Sequence, residues 1–398
     1  MTRAGTLGAG RRGEERPVRA GGPIPGGARR GPVVPARPLA DPGTRRILLV
    51  RLRVGLGDLL ASVPALRALR AARPDVEVTL LTWTEMAPVV ARMAAYVDEL
   101  LDFPGWPGIP ERPPRLQALP GFLAEVGRRR FDLAIQMYGG QPAANQVTER
   151  LGARRTAGFF TPGQWDPDLA THVPYPYRER EVRRHLDLVE FLGVPPGGEN
   201  LEFPLWPQDL EEAEALRRRH GLDRGGFACL HPGATAASRR WPPERFAAVA
   251  DALAARGLRV VLIGVPGEEP VAAAVAAAMR TSAIDLTGQT SLGGVAALLA
   301  SAALLVGNDS GPAQLAAAVG CPAVTVFLAG DPARWSPPDP RYRPLQAGVP
   351  CQPCGHQLCP IDFRCALGLD PDRVASEAGR LLDDHRRRLL DLAGQGHG

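Results

Sequence analysis

The stretch that decides the fold is VGNDSGPAQL, residues 306–315. The apolar residues 303–306 predict a strand, the small residues 313–319 predict a helix, and residues 323–327 predict a second strand. A strand, a tight glycine turn and a helix start together form an anion site, because the free N–H groups and the dipole of the helix point into the turn. The stretch is therefore a candidate phosphate-binding βαβ unit.

Three residues of this turn suit a phosphate and a sugar. Gly311 lets a phosphate approach the backbone, Ser310 adds a hydroxyl donor, and Asp309 can accept hydrogen bonds from sugar hydroxyls. The alternative is an ordinary βαβ turn in which Asp309 or Ser310 only caps the helix. A single glycine-rich turn is a weak signal, so the interpretation depends on the rest of the chain.

A second unit of the same kind lies near the start of the chain. Residues 46–52, RILLVRL, predict a buried parallel strand, and residues 59–72 have helical spacing. Gly55, Gly57 and Asp58 lie in the turn between them. The turn lacks the G-x-G-x-x-G pattern, and no acidic residue has the spacing of a ribose clamp, which argues against a nicotinamide oxidoreductase.

Strands alternate with helices in both halves, which predicts an α/β protein with two doubly wound, Rossmann-like domains. We place the N-terminal domain at 45–195, a linker at 196–207 and the C-terminal domain at 208–382, with a helix end and tail at 383–398. Residues 1–44 are mostly Gly, Pro, Arg and Ala without an apolar period, and we expect them to be disordered. Because ligands bind beyond the carboxyl ends of the strands, both glycine turns should line one interdomain cleft.

The positive charge of the chain is concentrated at its start. Residues 1–46 hold ten arginines and three carboxylates, so the rest of the chain carries a net charge of −2 although the total is +5. A near-neutral body lacks the basic face that nucleic acid requires, and we expect no nucleic-acid partner. No apolar signal segment and no run of about 18 apolar residues is present, which predicts a cytoplasmic protein and leaves open peripheral contact with the cytoplasmic membrane.

Four of the six cysteines form a C-x2-C-x4-C-x5-C cluster, made of Cys351, Cys354, Cys359 and Cys365. Four thiolates at short spacing could bind zinc. Only one C-x-x-C pair is present, however, so we favour a reduced or locally bridged loop. We expect no catalytic thiol, because no base is paired with any of the four.

Several motifs together resemble glycosyltransferase family 9, the ADP-heptose:lipopolysaccharide heptosyltransferases. They are RLRVGLGD at 51–58 with PAL at 64–66, HPGA at 231–234 with RRWP at 239–242, and GNDSGP at 307–312. Their order and intervals fit the family over about residues 45–382. The resemblance implies a GT-B fold, with two facing Rossmann-like domains, an acceptor site in the first domain and a nucleotide-sugar donor in the second.

The resemblance also implies roles for individual residues. Asp58 matches the catalytic aspartate and would be the general base, with a helix cap as the alternative. Arg239 stands where relatives carry a lysine that holds the donor phosphates, and its neighbour Arg240 could take that part instead. All 47 basic residues of the chain are arginines, so this exchange says little about function. Glu268 would contact the ribose, or else be a first-turn helix carboxylate.

Two positions depart from the family pattern. Gln314 stands where the family usually has a histidine, so it can donate a hydrogen bond to a phosphate but cannot carry a charge. Residues 328–332 read LAGDP instead of Gly-Pro-Thr-Asp-Pro, so Gly330 lacks a hydroxyl. Both changes leave open a family member with a different nucleoside-diphosphate sugar, or a non-catalytic nucleotide-sugar binder.

We therefore expect an inverting glycosyltransferase that needs neither a cofactor nor a catalytic metal. It would move a heptose or a related sugar from a nucleoside diphosphate, with ADP-heptose favoured, to a lipopolysaccharide-like or other cell-surface glycan. Asp309, Ser310 and Gly311 would bind the donor, and Gly55 and Gly57 would shape the loop on the acceptor side.

Overall fold

The computed structural model describes residues 34–395, which contain two six-stranded sheets. The strands of the first sheet are β1 (Arg46–Val50), β2 (Glu77–Thr82), β3 (Glu99–Asp102), β4 (Leu133–Gln136), β5 (Arg155–Phe160) and β6 (His172–Pro174). Those of the second are β7 (Phe227–His231), β8 (Arg259–Leu262), β9 (Ala283–Asp285), β10 (Leu304–Asn308), β11 (Ala323–Val326) and β12 (Tyr342–Leu345). All neighbouring strands run parallel.

Both sheets have the same strand order. The first runs β3-β2-β1-β4-β5-β6, and the second runs β12-β11-β10-β7-β8-β9, which is the same arrangement of two three-stranded halves. The order reverses between β1 and β4 and between β7 and β10, and ligand crevices of doubly wound sheets form at such points. The predicted pair of doubly wound, Rossmann-like domains is confirmed.

Fourteen helices flank the sheets in the described part of the chain. In the first half they are α1 (Leu56–Leu60), α2 (Val63–Ala72), α3 (Ala87–Val90), α4 (Leu119–Arg128), α5 (Pro142–Arg150) and α6 (Glu181–Phe191). In the second half they are α7 (Pro207–His220), α8 (Pro243–Ala255), α9 (Glu269–Ala278), α10 (Leu292–Ser301), α11 (Gly311–Ala318), α12 (Pro332–Trp335), α13 (Arg364–Gly368) and α14 (Pro371–Gln395). Residues 194–206, which connect the halves, form neither helix nor strand.

The helix predicted after β1 differs from the observed one at its start. It begins at Leu56 rather than Leu59 and is broken around Ser62, where Pro64 in the first turn of α2 starts a new helix. Gly55 is the N-cap residue of α1, and Asp58 lies within the helix. The alternative that Asp58 caps this helix is therefore wrong.

Two strands were not predicted from the sequence, and both contain a proline. These are β6, which includes Pro174, and β12, which includes Pro344. Each lies at the edge of its sheet. Proline is tolerated at an edge because no neighbouring strand needs its missing N–H group, although in a sequence it argues against a strand.

The ordered body begins earlier than predicted. Within the supposedly disordered segment, Leu39 is only 1% exposed, and its N–H donates to the carbonyl of Leu192 at 3.0 Å. The prediction of disorder is thus wrong for residues 36–44, whereas residues 1–33 lie outside the described part of the chain. At the other end, α14 continues through the predicted boundary at residue 382.

One apolar core extends across both halves. A single cluster of buried side chains includes Leu59 and Leu60 of α1 as well as Ala313 and Leu315 of α11, and these two helices pack on each other. The two glycine turns that precede them are thereby held close together. Among the described residues, no helix combines the length and apolarity that crossing a bilayer requires.

Candidate active site

The starts of α1 and α11 meet at the interface between the two halves. A Cβ atom on Gly57 would lie 3.0 Å from Cγ of Gln314, and a Cβ atom on Gly311 would lie 3.2 Å from Cβ of Leu56. Real Cβ atoms rarely come this close to a neighbour, so glycine at both positions allows the two helix starts to touch. The structure thus brings together the two turns that the sequence singled out.

Asp58 presents a partly exposed carboxylate at this interface. Its side chain is 21% exposed, and its buried Oδ1 atom has no hydrogen-bond partner among the described residues. Arg51 lies behind it, with Nη2 at 3.7 Å from Oδ1 and at 2.8 Å from the backbone oxygen of Asp58, to which it donates. Gly55 gives the carboxylate room, because a Cβ atom there would lie 2.6 Å from Oδ2 of Asp58. Such a carboxylate can accept a proton from an incoming hydroxyl.

Asp309 lies on the opposite side and is 5% exposed. Its nearest cation is Arg239, whose Nη1 atom is 3.6 Å from Oδ2. Burial raises the pKa of Asp309 to about 6, and although Arg239 opposes this shift, the negative charges of Asp58 and Asp331 add to it. Asp58 in α1 and Asp309, two residues before α11, therefore come from two elements that pack on each other.

The departure at Gly330 has a structural reason. A Cβ atom at this position would lie 1.9 Å from Oδ2 of Asp309, so any side chain would displace the carboxylate. The absence of a side chain at position 330 therefore allows the Asp309 carboxylate to lie where it does.

The two neighbouring arginines point to different partners. Arg239 ends a 3-10 turn and approaches Asp309, whereas Nε of Arg240 donates to the carbonyl of Ala234 at 2.7 Å. Of the two candidates for the phosphate cation, the geometry favours Arg239, since Arg240 supports the backbone of its own turn.

Ser310 belongs to a chain of polar contacts that reaches Glu268. The Ser310 hydroxyl donates to the carbonyl of Asn308 at 3.1 Å and lies 3.0 Å from Nδ1 of His231, while Nε2 of His231 lies 3.1 Å from the Glu268 carboxylate. Burial alone would raise the pKa of Glu268, but the hydrogen bond and charge of His231, the N–H of Val265 and the charge of Arg240 together outweigh it and lower the pKa. His231 was part of a recognised motif, yet its contacts could not be inferred because both partners are distant in sequence.

The side-chain cap predicted as the alternative role of Asp309 or Ser310 is not formed at the start of α11. Ser310 occupies the N-cap position, but neither its hydroxyl nor another side chain in the described part of the chain caps the helix. The helix start therefore keeps its capacity to bind an anion.

Gln314 is only 4% exposed, and its amide donates to the carbonyl of Trp335 at 2.6 Å. The amide group thus already has a partner within the protein. Its predicted contact with a donor phosphate stays a prediction.

A buried ion cluster behind Asp58 was not predicted. Its centre is Glu181, which is 2% exposed and contacts Arg184 in its own helix. Nε of Arg334 donates to Glu181 at 2.9 Å, and Nη2 of Arg51 lies at 3.5 Å from it. Burial opposes ionisation of Glu181, but Arg334 and the other cations hold its pKa well below the usual range. Arg334 is 153 residues away in sequence, so no local pattern could indicate this contact.

The four clustered cysteines line one cavity of about 180 Å³, next to Ser238 and Ala329. All are free thiols, and no three or more His, Cys, Asp or Glu side chains in residues 34–395 are grouped to hold a metal ion. The loop is tied to the turn before Arg239 and to the segment before Gly330, because the N–H of Ser238 donates to the carbonyl of Gln357 and the N–H of Cys354 donates to the carbonyl of Ala329. The reduced or locally bridged loop and the zinc site both stay predictions.

Two facing Rossmann-like sheets with charged turns between them are the architecture of GT-B glycosyltransferases. Consistent with this class, the sequence model of glycosyltransferase family 9 (heptosyltransferase) matches residues 122–363, more than half of the chain. The chain therefore belongs to glycosyltransferase family 9 and is a glycosyltransferase.

Comparison with individual proteins agrees with this assignment. The lipopolysaccharide heptosyltransferase 3 of Escherichia coli K12 is 25% identical over 295 residues, which cover 71% of this chain and 82% of that protein. The structure of a family 9 glycosyltransferase from Veillonella parvula matches with a TM-score of 0.71 at 22% identity, over 86% of this chain and 98% of that one. E. coli heptosyltransferase WaaC with ADP matches with a TM-score of 0.61 at 20% identity, over 84% and 99% of the chains. These structures support the fold.

Proposed function

We propose that this chain transfers a heptose from ADP-heptose to a lipopolysaccharide-like acceptor, with inversion at the anomeric carbon. The observation that carries the proposal is the arrangement at the interface of the two halves. There α1, which carries Asp58, packs on α11, which follows Asp309, and Arg239 approaches Asp309 to 3.6 Å. Attack by a hydroxyl and departure of a diphosphate require a base and a cation on opposite sides of one sugar.

Asp58 would act on the acceptor. Its carboxylate takes the proton from the acceptor hydroxyl as the hydroxyl oxygen forms a bond to the anomeric carbon. The bond from that carbon to the diphosphate oxygen breaks on the opposite face, which inverts the configuration. Arg51 fixes the orientation of the base through its bond to the Asp58 backbone oxygen.

Arg239 and the start of α11 would stabilise the leaving diphosphate. The guanidinium supplies a permanent positive charge, and the helix start supplies backbone N–H groups and a dipole of the right sign. In this proposal the reaction needs no divalent cation. Asp309 accepts hydrogen bonds from the donor sugar, and Glu268 from the ribose.

The choice of donor and acceptor is supported by the related proteins. The relative from E. coli K12 is a lipopolysaccharide heptosyltransferase, and WaaC was solved with ADP. A lipid-linked acceptor would also place the enzyme in peripheral contact with the inner membrane.

A transfer assay tests the proposal. The full chain is incubated with ADP-heptose and lipopolysaccharide from a heptose-deficient strain, and ADP release and the mass of the glycan are followed. We expect transfer that persists in EDTA and that falls about 1000-fold or more in Asp58→Asn, while a thermal shift with ADP is retained by the variant.

Other results would redirect the proposal. Binding of ADP-heptose without turnover would indicate a non-catalytic binder, and turnover of another nucleotide sugar alone would exclude heptose as the natural substrate. Full activity of the Asp58→Asn variant would remove the base assignment, and retention of configuration by NMR would refute the inverting mechanism.

A further inference from the structure

We infer that Glu181 is a positioning residue for sugar transfer, which ties the base in the first half to the donor-side turn in the second half. The inference rests on the proposed function, because it needs Asp58 and the donor turn to act together. Glu181 itself would touch neither substrate and would act through two arginines.

Glu181 lies in the first turn of α6, with its side chain 2% exposed. Three guanidinium groups surround this single carboxylate, and they come from three separate parts of the chain: Arg51 after β1, Arg184 in α6 and Arg334 in α12. Burial lowers the pKa of the adjacent His185 to about 3, and Arg51 adds to the effect, so His185 is neutral and adds no further charge. Among residues 34–395, Glu181 is thus the one carboxylate that contacts all three of these cations.

The first connection runs from Glu181 to the base. Arg51 is 1% exposed, and its Nη2 atom lies 3.5 Å from Glu181 and 2.8 Å from the backbone oxygen of Asp58. Its Nε atom donates to the hydroxyl of Ser62, which also donates to the Asp58 backbone oxygen. Arg51 therefore fixes the turn of helix that carries the base, and Glu181 holds Arg51 from the other side.

The second connection runs from Glu181 to the donor side. Arg334 donates to Glu181 at 2.9 Å and to the hydroxyl of Tyr175 at 3.2 Å, and both partners belong to the other half of the molecule. Arg334 follows closely on the turn in which Gly330 lies against Asp309. Its neighbour Trp335 accepts the hydrogen bond of Gln314 from α11. Movement of Arg334 would thus displace both the turn that contains Gly330 and helix α11, the two elements that face the donor.

Loss of the negative charge should separate these groups. With Gln in place of Glu181, the three guanidiniums would repel one another in a site shielded from water. Arg334 is the member that can leave most easily, because it is 17% exposed, whereas Arg51 and Arg184 are at most 1% exposed. The donor turn and the base would then lose their fixed relation, and small misplacements of reacting groups lower the rate steeply.

The test uses Glu181→Gln and Arg334→Gln in the full chain. We expect kcat to fall about 30-fold or more in Glu181→Gln and about tenfold or more in Arg334→Gln, with the Kd for ADP within about threefold of the wild type. Because both changes break the same connection, the double variant should be no slower than Glu181→Gln alone. Arg334→Gln leaves Glu181 paired with two arginines, so it should fold even if Glu181→Gln does not.

A matched control is available elsewhere in the same interface. Asp209 is 3% exposed and is held by Arg92 of the other half, with an Nη2–Oδ1 distance of 2.8 Å. Asp209→Asn removes a buried carboxylate from an interdomain ion pair, as Glu181→Gln does. We expect it to lower the melting temperature while kcat stays within about threefold of the wild type.

The inference is overturned if Glu181→Gln keeps the wild-type kcat, or if Asp209→Asn lowers kcat as much as Glu181→Gln does. It is also overturned if the reductions in kcat of Glu181→Gln and Arg334→Gln multiply in the double variant. A wild-type chain that turns over no nucleotide sugar would count against the proposed function instead. In that case, small-angle X-ray scattering tests the role of Glu181 without an activity measurement. A larger radius of gyration for Arg334→Gln than for the wild type supports the tie, and an unchanged radius refutes it.

Discussion

At the residue level, burial of the Asp309 carboxylate destabilises the fold but leaves one of its oxygens available to a ligand. Its carboxylate is almost fully buried, and its Oδ2 atom has no hydrogen-bond partner among the described residues. A buried and poorly paired carboxylate holds its proton more tightly than an exposed one. The pKa of about 6 expresses that cost, which a bound sugar hydroxyl would relieve by donating to the free oxygen.

This pKa predicts how Asp309→Asn changes the stability. The folded protein holds the Asp309 proton up to about pH 6, whereas an unfolded aspartate loses it near 3.8, so ionisation destabilises the fold as the pH rises between these values. Removal of the carboxylate should therefore stabilise the protein by about 3 kcal/mol above pH 6 and by little near pH 4.

Melting temperatures of the wild type and the variant between about pH 4 and 8 measure this difference. The two curves should nearly coincide at low pH, diverge as the pH rises toward the pKa of about 6, and stay a few degrees apart above it, while the variant loses affinity for the donor. Parallel curves across the whole range would contradict the assigned protonation of Asp309.

Motifs located Asp58, Arg239 and Asp309 in the sequence because each lies in a short signature next to a glycine turn. The contacts of His231 and Glu181, by contrast, were revealed only by the structure. The partners of Glu181 lie up to 153 residues away, and no periodicity or spacing encodes such a contact. Candidate residues in a turn signature can thus be located from the sequence, whereas the contacts that join two distant turns cannot.

At the level of elements, the decisive feature is the contact between the starts of α1 and α11. The strands and most helices followed from apolar periodicity, and the missed strands were short edge strands with proline. The close approach of the two helices could not be predicted, because it depends on which faces of two distant helices meet. The glycines at positions 57 and 311 are the residues that leave room for this approach.

Gly57→Ala tests this contact. The new methyl group would lie 3.0 Å from Cγ of Gln314, whose amide is held by Trp335, so the helices must move apart by a few tenths of an ångström. We expect a loss of about 1–3 kcal/mol in the free energy of unfolding and about a tenfold drop in the transfer rate.

Gly121→Ala is the control for that variant. Gly121 lies in α4, and a methyl group added there would have no neighbouring atom within 4 Å. Alanine should therefore stabilise the helix by about 0.5–1 kcal/mol and leave transfer unchanged. Equal effects of the two changes would show that the helix contact has no special importance.

At the scale of the whole molecule, the two halves share more than a cleft. One apolar cluster includes residues of both, and the ion pairs of Arg92 with Asp209 and of Arg334 with Glu181 join them at separate places. The two-domain division was predictable from the alternation of strands and helices, but the extent of the shared core was not, since it depends on how the domains dock.

The shared core predicts the course of thermal unfolding. Because neither half keeps its buried surface without the other, scanning calorimetry should show one cooperative transition for the full chain. Two resolved transitions would mean that the halves unfold independently, as domains with small polar interfaces do.

The apolar contact of α1 with α11 also bears on what happens after transfer. Both glycine turns lie at this contact, so an opening between the two halves would separate apolar side chains of the two helices against the hydrophobic effect. If the product nucleotide leaves through such an opening, this contact would set the pace at which the enzyme becomes vacant again.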